Sequence, residues 1–376
     1  MKKRVLQLIG SFHQGGSERQ AIALTRQLKD EGSFDVFAGT LNAEGILEED
    51  MYAMVGPDVP EFPLSSFYNI NFARQVRRCS KYLRDNDIDL IQTHDFYTNV
   101  FGMAAAAHAG VPARIASKRE TTGMRTRAQD AIERLAFNFA SAVVVNSDAG
   151  KEYLIGRGLH PRKLEVVYNS IDPRPFVNAV PDVVVMCEEL GLPAGSSLVT
   201  LVANLRHEVK NVPMLLRVAK QVVKVFPTAH FIVAGEGELE ATLKERSSEM
   251  NVNDNVHFIG RCTDVPRLLS NSEICVLTSK SEGLSNSLLE YMAAAKPVVA
   301  TRVGAAAEAV EEGKTGYLVE PHDDAGMAAR IIELLKNKAD RSELGAQGRT
   351  RVVEKFSPKS QIDRTTELYK KLLNVR

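Results

Sequence analysis

No two cysteines of this chain stand close enough to form a zinc knuckle or a redox pair. The four are Cys79, Cys187, Cys262 and Cys275. None makes a C-x-x-C unit, so neither a structural metal site nor a dithiol catalyst is indicated. Each lies in apolar or helical sequence and reads as a small core or surface residue in a reducing compartment. Long hydrophobic runs are missing as well, and no stretch reaches the ~20 apolar residues that span a bilayer. The start, Met1-Lys2-Lys3-Arg4 followed by Val5 to Ile9, has the charge of a signal peptide without its length or cleavage site, and reads as a buried first strand. The expected location is cytoplasmic, with any membrane contact peripheral. Net charge is absent too: 47 Lys+Arg balance 47 Asp+Glu, so nucleic acid is not an expected partner. There is no short repeat and no low-complexity tract.

What is present is a globular composition, 44% hydrophobic and 25% charged, over 376 residues. That length suits two domains rather than one core. Short apolar runs at residues 5–9, 34–37, 90–92, 114–116, 142–145 and 166–167 read as strands. Helical patterns separate them at 17–31, 72–85, 100–109, 128–140 and 149–157. Continuous apolar strands alternating with helices imply a parallel sheet covered on both faces. The pattern pauses over 173–196, where Pro173, Pro175, Pro181 and Pro193 suggest a connection. It restarts with strands at 198–202, 230–234, 256–258, 274–277, 297–300 and 316–319. Helices are predicted at 212–225, 238–249, 287–295, 324–337 and 341–355, and a last amphipathic helix at 360–373. The division is therefore 1–172, a linker 173–196, then 197–356, and a terminal helix in 357–376. The fold class is α/β with two doubly wound, Rossmann-like domains. Ligands of such sheets sit beyond the carboxyl ends of the strands, which makes the cleft between two such domains the expected site.

The string Ser281-Glu282-Gly283-Leu284-Ser285-Asn286-Ser287-Leu288-Leu289-Glu290 places one acid after a strand and a second inside the next helix. Gly283 permits close backbone approach. The N–H groups of Leu284, Ser285 and Asn286 open the helix, where free donors attract phosphate. Glu282 can then accept sugar hydroxyls and Glu290 ribose hydroxyls. On the spacing of two acids alone, a capped helix with solvated carboxylates is the commoner outcome. The loop Ala203 to Asn211 holds Arg206 and Lys210 between a strand and its helix. Cations fixed there stabilise a diphosphate leaving group as it gains charge. Gly15-Gly16-Ser17-Glu18 joins the first strand to the first helix and can approach a ligand, or be a tight turn capped by Ser17. His94 ends a strand; binding and structural roles weigh evenly.

Two patterns are set aside. Gly235-Glu236-Gly237 follows a strand, but position 240 is Glu where a dinucleotide fingerprint needs glycine, and the acids repel pyrophosphate. Asp85-Asn86-Asp87-Ile88-Asp89 has metal-like spacing but reads as a turn.

The ten-residue string resembles the E-x7-E motif of glycosyltransferase family 4, retaining enzymes of the GT-B fold. Gly15 to Glu18, Asn146-Ser147, Val167 to Asp172, Ala234 to Leu239 and Thr315 to Val319 are similar to further family signatures, with Ser170 where glycine is usual. The resemblance spans nearly the whole chain. It implies transfer of a hexose from a nucleotide-diphosphate sugar, UDP first, to a saccharide or lipid-linked acceptor in cell-surface polysaccharide or glycolipid synthesis. It implies Glu282, Arg206 and Lys210 as catalytic residues. Gly16, Gly283, Leu284, Ser285, Asn286, Glu290 and Arg261 form the implied donor-binding set. Gly15, His94 and Arg119 belong to the acceptor or sugar side. Arg119 stands where many members carry a histidine. The departing phosphate oxygen can take the acceptor's proton, so no protein base, metal or cofactor is required. The terminal helix is expected to cross back to the first domain. The stretch 112–134 is locally basic, and Arg74, Arg77, Arg78, Lys81 and Arg84 lie nearby; both are candidates for peripheral contact with anionic membrane, against the more frequent solvated face. A nucleotide-sugar epimerase or hydrolase, and a non-catalytic nucleotide-sugar-binding protein, are the alternatives.

Overall fold

The computed structural model describes residues 2–13, 15–64, 69–119 and 125–374. The chain divides into two compact units, Met1–Ser170 with Pro358–Arg376, and Ile171–Ser357. Each is built on one six-stranded sheet in which every pairing is parallel.

The first unit runs β1 (Lys3–Ser11), α1 (Gly16–Glu31), β2 (Phe34–Asn42), α2 (Glu48–Val55), α3 (Ile70–Asp85), β3 (Leu90–Thr93) and α4 (Phe96–Ala109). It continues with β4 (Ala113–Lys118), α5 (Arg127–Phe139), β5 (Ala142–Val145), α6 (Asp148–Gly156) and β6 (Leu164–Val166). The strand order is β2-β1-β3-β4-β5-β6. Strand order reverses at β1 and β3, so the loops after these two strands flank the crevice where a doubly wound sheet binds ligands. Leu6, Leu8, Ile91 and Phe101 are buried in the core on one face, and Val5, Leu90, Ile115 and Val144 on the other.

The second unit contains α7 (Arg174–Asn178), α8 (Val183–Glu189), β7 (Ser197–Val202), α9 (Val212–Val222), β8 (Ala229–Ala234), α10 (Glu240–Glu249), β9 (Val256–Phe258) and α11 (Val265–Asn271). It ends with β10 (Ile274–Leu277), α12 (Asn286–Ala293), β11 (Val298–Thr301), α13 (Ala306–Ala309), β12 (Gly316–Val319), α14 (Asp324–Lys336) and α15 (Lys338–Lys355). The order β12-β11-β10-β7-β8-β9 reverses between β7 and β10. The loops that carry Arg206, Lys210 and Glu282 follow β7 and β10, the two strands that flank this crevice.

The last helix, α16 (Pro358–Leu373), packs on the first unit. Leu368 and Tyr369 join the core beside Val5, Leu28 and Phe34, with the Tyr369 ring edge-on to Phe34 at 5.4 Å. Burying each such side chain stabilises by about 1.5–3 kcal/mol.

Several elements differ from the sequence reading. The proline-rich stretch 173–196 carries α7 and α8, and Met186 and Cys187 of α8 pack with Leu198 and Ile232 of the second unit. α4 starts at Phe96, four residues early, because Asp95 and Thr98 form a reciprocal capping box. α11 went unread although Asp264 caps it at the Arg267 N–H (3.0 Å) and proline sits in its first turn. The Asp85–Asp89 segment is a turn with Asp87 at φ 45°, and Asp89 is held by Lys3 Nζ (2.8 Å) and the Arg4 N–H (2.9 Å). Among the described residues no helix is long and apolar enough to cross a membrane.

Candidate active site

The loops after β7 and β10 are joined at three points. The Lys280 N–H donates to the Val209 carbonyl at 2.8 Å. Thr278 Oγ1 donates to the Lys210 carbonyl at 2.8 Å. Lys210 Nζ donates to Glu282 Oε1 at 2.6 Å, and Ser279 Oγ donates to the same oxygen at 2.7 Å. Lys210 and Glu282 keep 17% and 13% of their side-chain surface exposed, so the pair is sheltered yet open to a ligand. An ammonium carries three donors, which leaves Lys210 able to hold Glu282 and a phosphate together. Lys210 closes a 3-10 turn, Glu208–Lys210, and Asn211 follows in the left-handed region at φ 52°, which turns the chain into α9.

α12 is anchored to the end of β7. Ser287 Oγ donates to the Val202 carbonyl (2.9 Å), and the Tyr291 hydroxyl accepts from the Val202 N–H (2.7 Å). Ser285 is the N-cap residue of α12 and makes no side-chain cap. Glu290 is buried one turn into the helix. Arg206 is exposed on the β7 loop, and Arg261 is exposed after β9.

Two glycines hold these loops in place, and sequence reading assigned neither of them to the site. Gly304 has φ +51°, and a Cβ there would lie 1.9 Å from the Glu282 carbonyl oxygen. The Ala305 N–H donates to the Gly283 carbonyl beside it (3.0 Å). Gly237 presses on the Leu205–Arg206 backbone, where a Cβ would come within 2.2 Å of Leu205. The Gly235-Glu236-Gly237 turn is thus a buttress of the Arg206 loop: the Leu205 N–H donates to the Glu236 carbonyl (2.9 Å). The alternation of small residues after β8 was a usable signal for close backbone approach.

In the first unit the loops after β1 and β3 bring Gly15, His94 and Asp95 to the crevice, and β4 delivers Arg119. Gly15, not Ser17, is the N-cap residue of α1, and no side chain caps that helix. Gly16 is exposed at its first position. His94 is buried, and its Nδ1 faces Arg119 Nη2 at 3.4 Å. Arg119 Nη1 donates to Asn169 Oδ1 at 2.6 Å, while its buried Nε has no hydrogen-bond partner among the described residues. Burial, then the Arg119 charge, holds the His94 imidazole far below its usual range, so it is neutral at pH 7. Burial lowers Arg119 to about 10, against the pull of Glu18 and Asp95, and it stays charged. Burial raises both Glu18 and Asp95. The site therefore combines a neutral imidazole, a cation and two carboxylates of raised pKa.

The basic stretch is largely spent on internal contacts. Lys118 is buried against Glu133 at 2.6 Å, and Arg114 donates to the Phe139 and Val111 carbonyls. Arg134 donates to the Arg157 carbonyl. Residues 120–124 of the stretch lie outside the described residues. The exposed cations are Arg127 and Arg134 on α5, with Arg74, Arg77, Arg78, Lys81 and Arg84 on α3.

Two family models match the chain: Glycosyltransferase Family 4 over residues 14–174, and Glycosyl transferases group 1 over residues 187–351. The fold class is GT-B. The chain belongs to family 4, group 1, of the glycosyltransferases. It is 30% identical over 208 residues to the N-acetyl-alpha-D-glucosaminyl L-malate synthase of Bacillus anthracis, a match covering 55% of this chain and spanning only 54% of that relative's length. It is 24% identical over 299 residues to the Escherichia coli UDP-Gal:alpha-D-GlcNAc-diphosphoundecaprenol alpha-1,3-galactosyltransferase, covering 77% of each. The Anabaena protein HepE, solved with UDP and glucose, superposes with a TM-score of 0.87 at 21% identity, over 98% of this chain and 100% of that one.

Proposed function

We propose that this protein is a retaining, metal-independent glycosyltransferase that uses a UDP-linked hexose. The observation that carries this reading is the Lys210–Glu282 pair, held between the β7 and β10 loops at the reversal of strand order and next to the mouth of α12. In this reading the second unit holds the donor. Arg206 and Lys210 meet the diphosphate, with the N–H groups of Gly283, Leu284, Ser285 and Asn286 and with Arg261 nearby. Glu290 accepts ribose hydroxyls, and Glu282 orients the sugar. As the sugar–phosphate bond breaks, charge grows on the leaving phosphate, and the fixed Lys210 charge stabilises it without reorganisation. The departing oxygen takes the acceptor's proton on the same face, so the anomeric configuration is retained.

Gly15, His94 and Arg119 hold the acceptor in the first unit. The relative named for galactosyl transfer to a GlcNAc-diphosphoundecaprenol supports a lipid-linked saccharide acceptor, hence a role in cell-surface polysaccharide or glycolipid synthesis. Peripheral contact with an anionic membrane through 112–134, at the cytoplasmic face, belongs to the same proposal.

The test is calorimetry and turnover with UDP-glucose, UDP-galactose, UDP-N-acetylglucosamine and GDP-mannose, with farnesyl-diphosphate-linked N-acetylglucosamine as acceptor. UDP release that depends on the acceptor, with loss of at least a hundredfold in Lys210→Ala, is expected. Turnover without an acceptor would favour an epimerase or hydrolase. Absence of binding to all four donors would end the assignment.

A further inference from the structure

The His94–Arg119 contact is one end of a buried hydrogen-bond chain that runs to the last helix. Arg119 can only donate, so His94 Nδ1 is the acceptor and its proton sits on Nε2. His94 Nε2 donates to Gln7 Oε1 at 2.8 Å. Gln7 Nε2 donates to the Tyr369 hydroxyl at 2.8 Å, and that hydroxyl donates to Gln92 Oε1. Gln92 Nε2 ends the chain on Ser117 Oγ at 3.1 Å. Every donor in this sequence meets an acceptor, and the direction is set by the guanidinium. Gln7 and Gln92 are directly opposite on β1 and β3, and Tyr369 on α16 lies across them, 0% exposed.

A hydrophobic helix contact needs no such chain. α16 would bury as much apolar surface with phenylalanine at 369, because the ring already meets Phe34 edge-on. What the hydroxyl adds is a partner for each of two buried amides. Without it, Gln7 Nε2 and Gln92 Oε1 face each other unpaired, and the Gln7 amide is drawn toward Gln92 and off His94. A buried donor left unmade costs more than the bond is worth, so such a shift is favoured.

We propose that Tyr369 is a positioning residue: acting through Gln7, it fixes the ring and the Nε2–H tautomer of His94, and so makes the terminal helix part of the first unit's ligand site. This rests on the reading of His94 and Arg119 as acceptor contacts. The neutral state of His94 at pH 7 accords with it.

The deciding measurement is made on the full-length protein without ligand. Imidazole nitrogen shifts of His94, assigned by comparison with His94→Gln, report the tautomer directly. The wild type is expected to show Nε2–H alone between pH 6 and 8. Tyr369→Phe is expected to show averaged tautomers while its circular dichroism stays native. Unchanged His94 shifts in folded Tyr369→Phe would overturn the link. Gln7→Glu is the second variant: a carboxylate accepting from His94 is expected to raise the imidazole's pKa, and an unmoved titration would overturn the link too. Turnover then tests the underlying reading separately, with UDP-N-acetylglucosamine and farnesyl-diphosphate-linked N-acetylglucosamine as probes. Tyr369→Phe is expected to raise the acceptor KM about 3–10-fold, and to add nothing in a His94→Gln background. A tautomer shift with unaltered acceptor KM would support the link and overturn the placing of the acceptor at His94.

Discussion

Thr278 and Lys210 are joined by a hydrogen bond from the threonine hydroxyl to the lysine's own backbone carbonyl, 2.8 Å long. The bond ties the residue after β10 to the end of the β7 loop. It therefore sets where the Lys210 ammonium stands relative to Glu282. Thr278→Val keeps the shape and deletes the donor, which costs about 1 kcal/mol of stability. Transfer should fall about tenfold or more, since a misplacement of 1 Å at a reacting centre is worth up to ~100-fold. Steady-state kinetics beside a thermal melt would check this. Wild-type turnover in the valine variant would show that Lys210 needs no such tether.

Gly304 offers a sharper probe of the same loop. A methyl group there meets the Glu282 carbonyl at 1.9 Å, and the backbone φ of +51° disfavours alanine in any case. Strain of about 1–3 kcal/mol is expected from conformation alone. Gly313 supplies the control, because its φ is +71° and a Cβ there meets nothing within 4 Å. Gly313→Ala should lower stability without altering nucleotide-sugar affinity. Gly304→Ala should lower both, weakening donor binding at least tenfold as Glu282 is displaced. Equal donor affinities in the two variants, measured by calorimetry, would remove Gly304 from the site.

The Lys118–Glu133 pair, 6% and 3% exposed, is a structural feature of the first unit. Glu133 also accepts from Asn99 Nδ2 at 2.9 Å, and Asn99 is bonded to the Thr93 hydroxyl and the Ser117 backbone. Removing one charge strands the other, so Glu133→Gln should cost about 3–5 kcal/mol. Lys118→Met combined with Glu133→Leu removes both and should recover most of that loss. Urea unfolding of the three proteins decides the matter; a double variant no more stable than the single one would contradict it.

The strands were legible in sequence because a doubly wound sheet buries both faces, which leaves continuous apolar runs such as those at β7 and β10. The order of the strands was not legible, since nothing local encodes which strand pairs with which. The acid string at 281–290 and the cations at 206 and 210 were visible as types. The meeting of Lys210 with Glu282 depends on the β7–β10 adjacency, which is a tertiary fact. Gly304 could not be read, because its constraint comes from the Glu282 backbone 22 positions earlier. Ser170, where the resembling family usually has glycine, also gains its reason only from packing. Its hydroxyl donates to Gln361 Oε1 on α16 (2.9 Å) and accepts from Gln27 Nε2 on α1 (3.2 Å). The basic stretch needs the fold as well: sequence shows charge, and burial of Lys118 beside Glu133 shows only in the structure.

Three histidines give the protein a specific acid sensitivity. His94, His230 and His257 are all held below the usual imidazole range, each by burial first, with the Arg119 charge adding to it at His94 and His230 at His257. His230 Nδ1 and His257 Nε2 lie 2.9 Å apart, so a second proton there would meet a like charge. The unfolded chain binds protons at these sites from about pH 6.5 downward, while the folded chain takes them up only at lower pH. Stability from these groups is therefore complete above about pH 7 and declines as pH falls below about 6.5. Glu18 and Asp95, both raised by burial, act in the opposite sense, because the folded state protonates them first. Their ordinary range lies lower, so the histidines act first as pH falls below about 7. Urea midpoints over pH 5 to 8 should fall toward acid, and His257→Asn should flatten that fall by about one histidine's share. A midpoint that holds or rises between pH 6.5 and 5 would mean that these imidazoles accept protons in the folded protein.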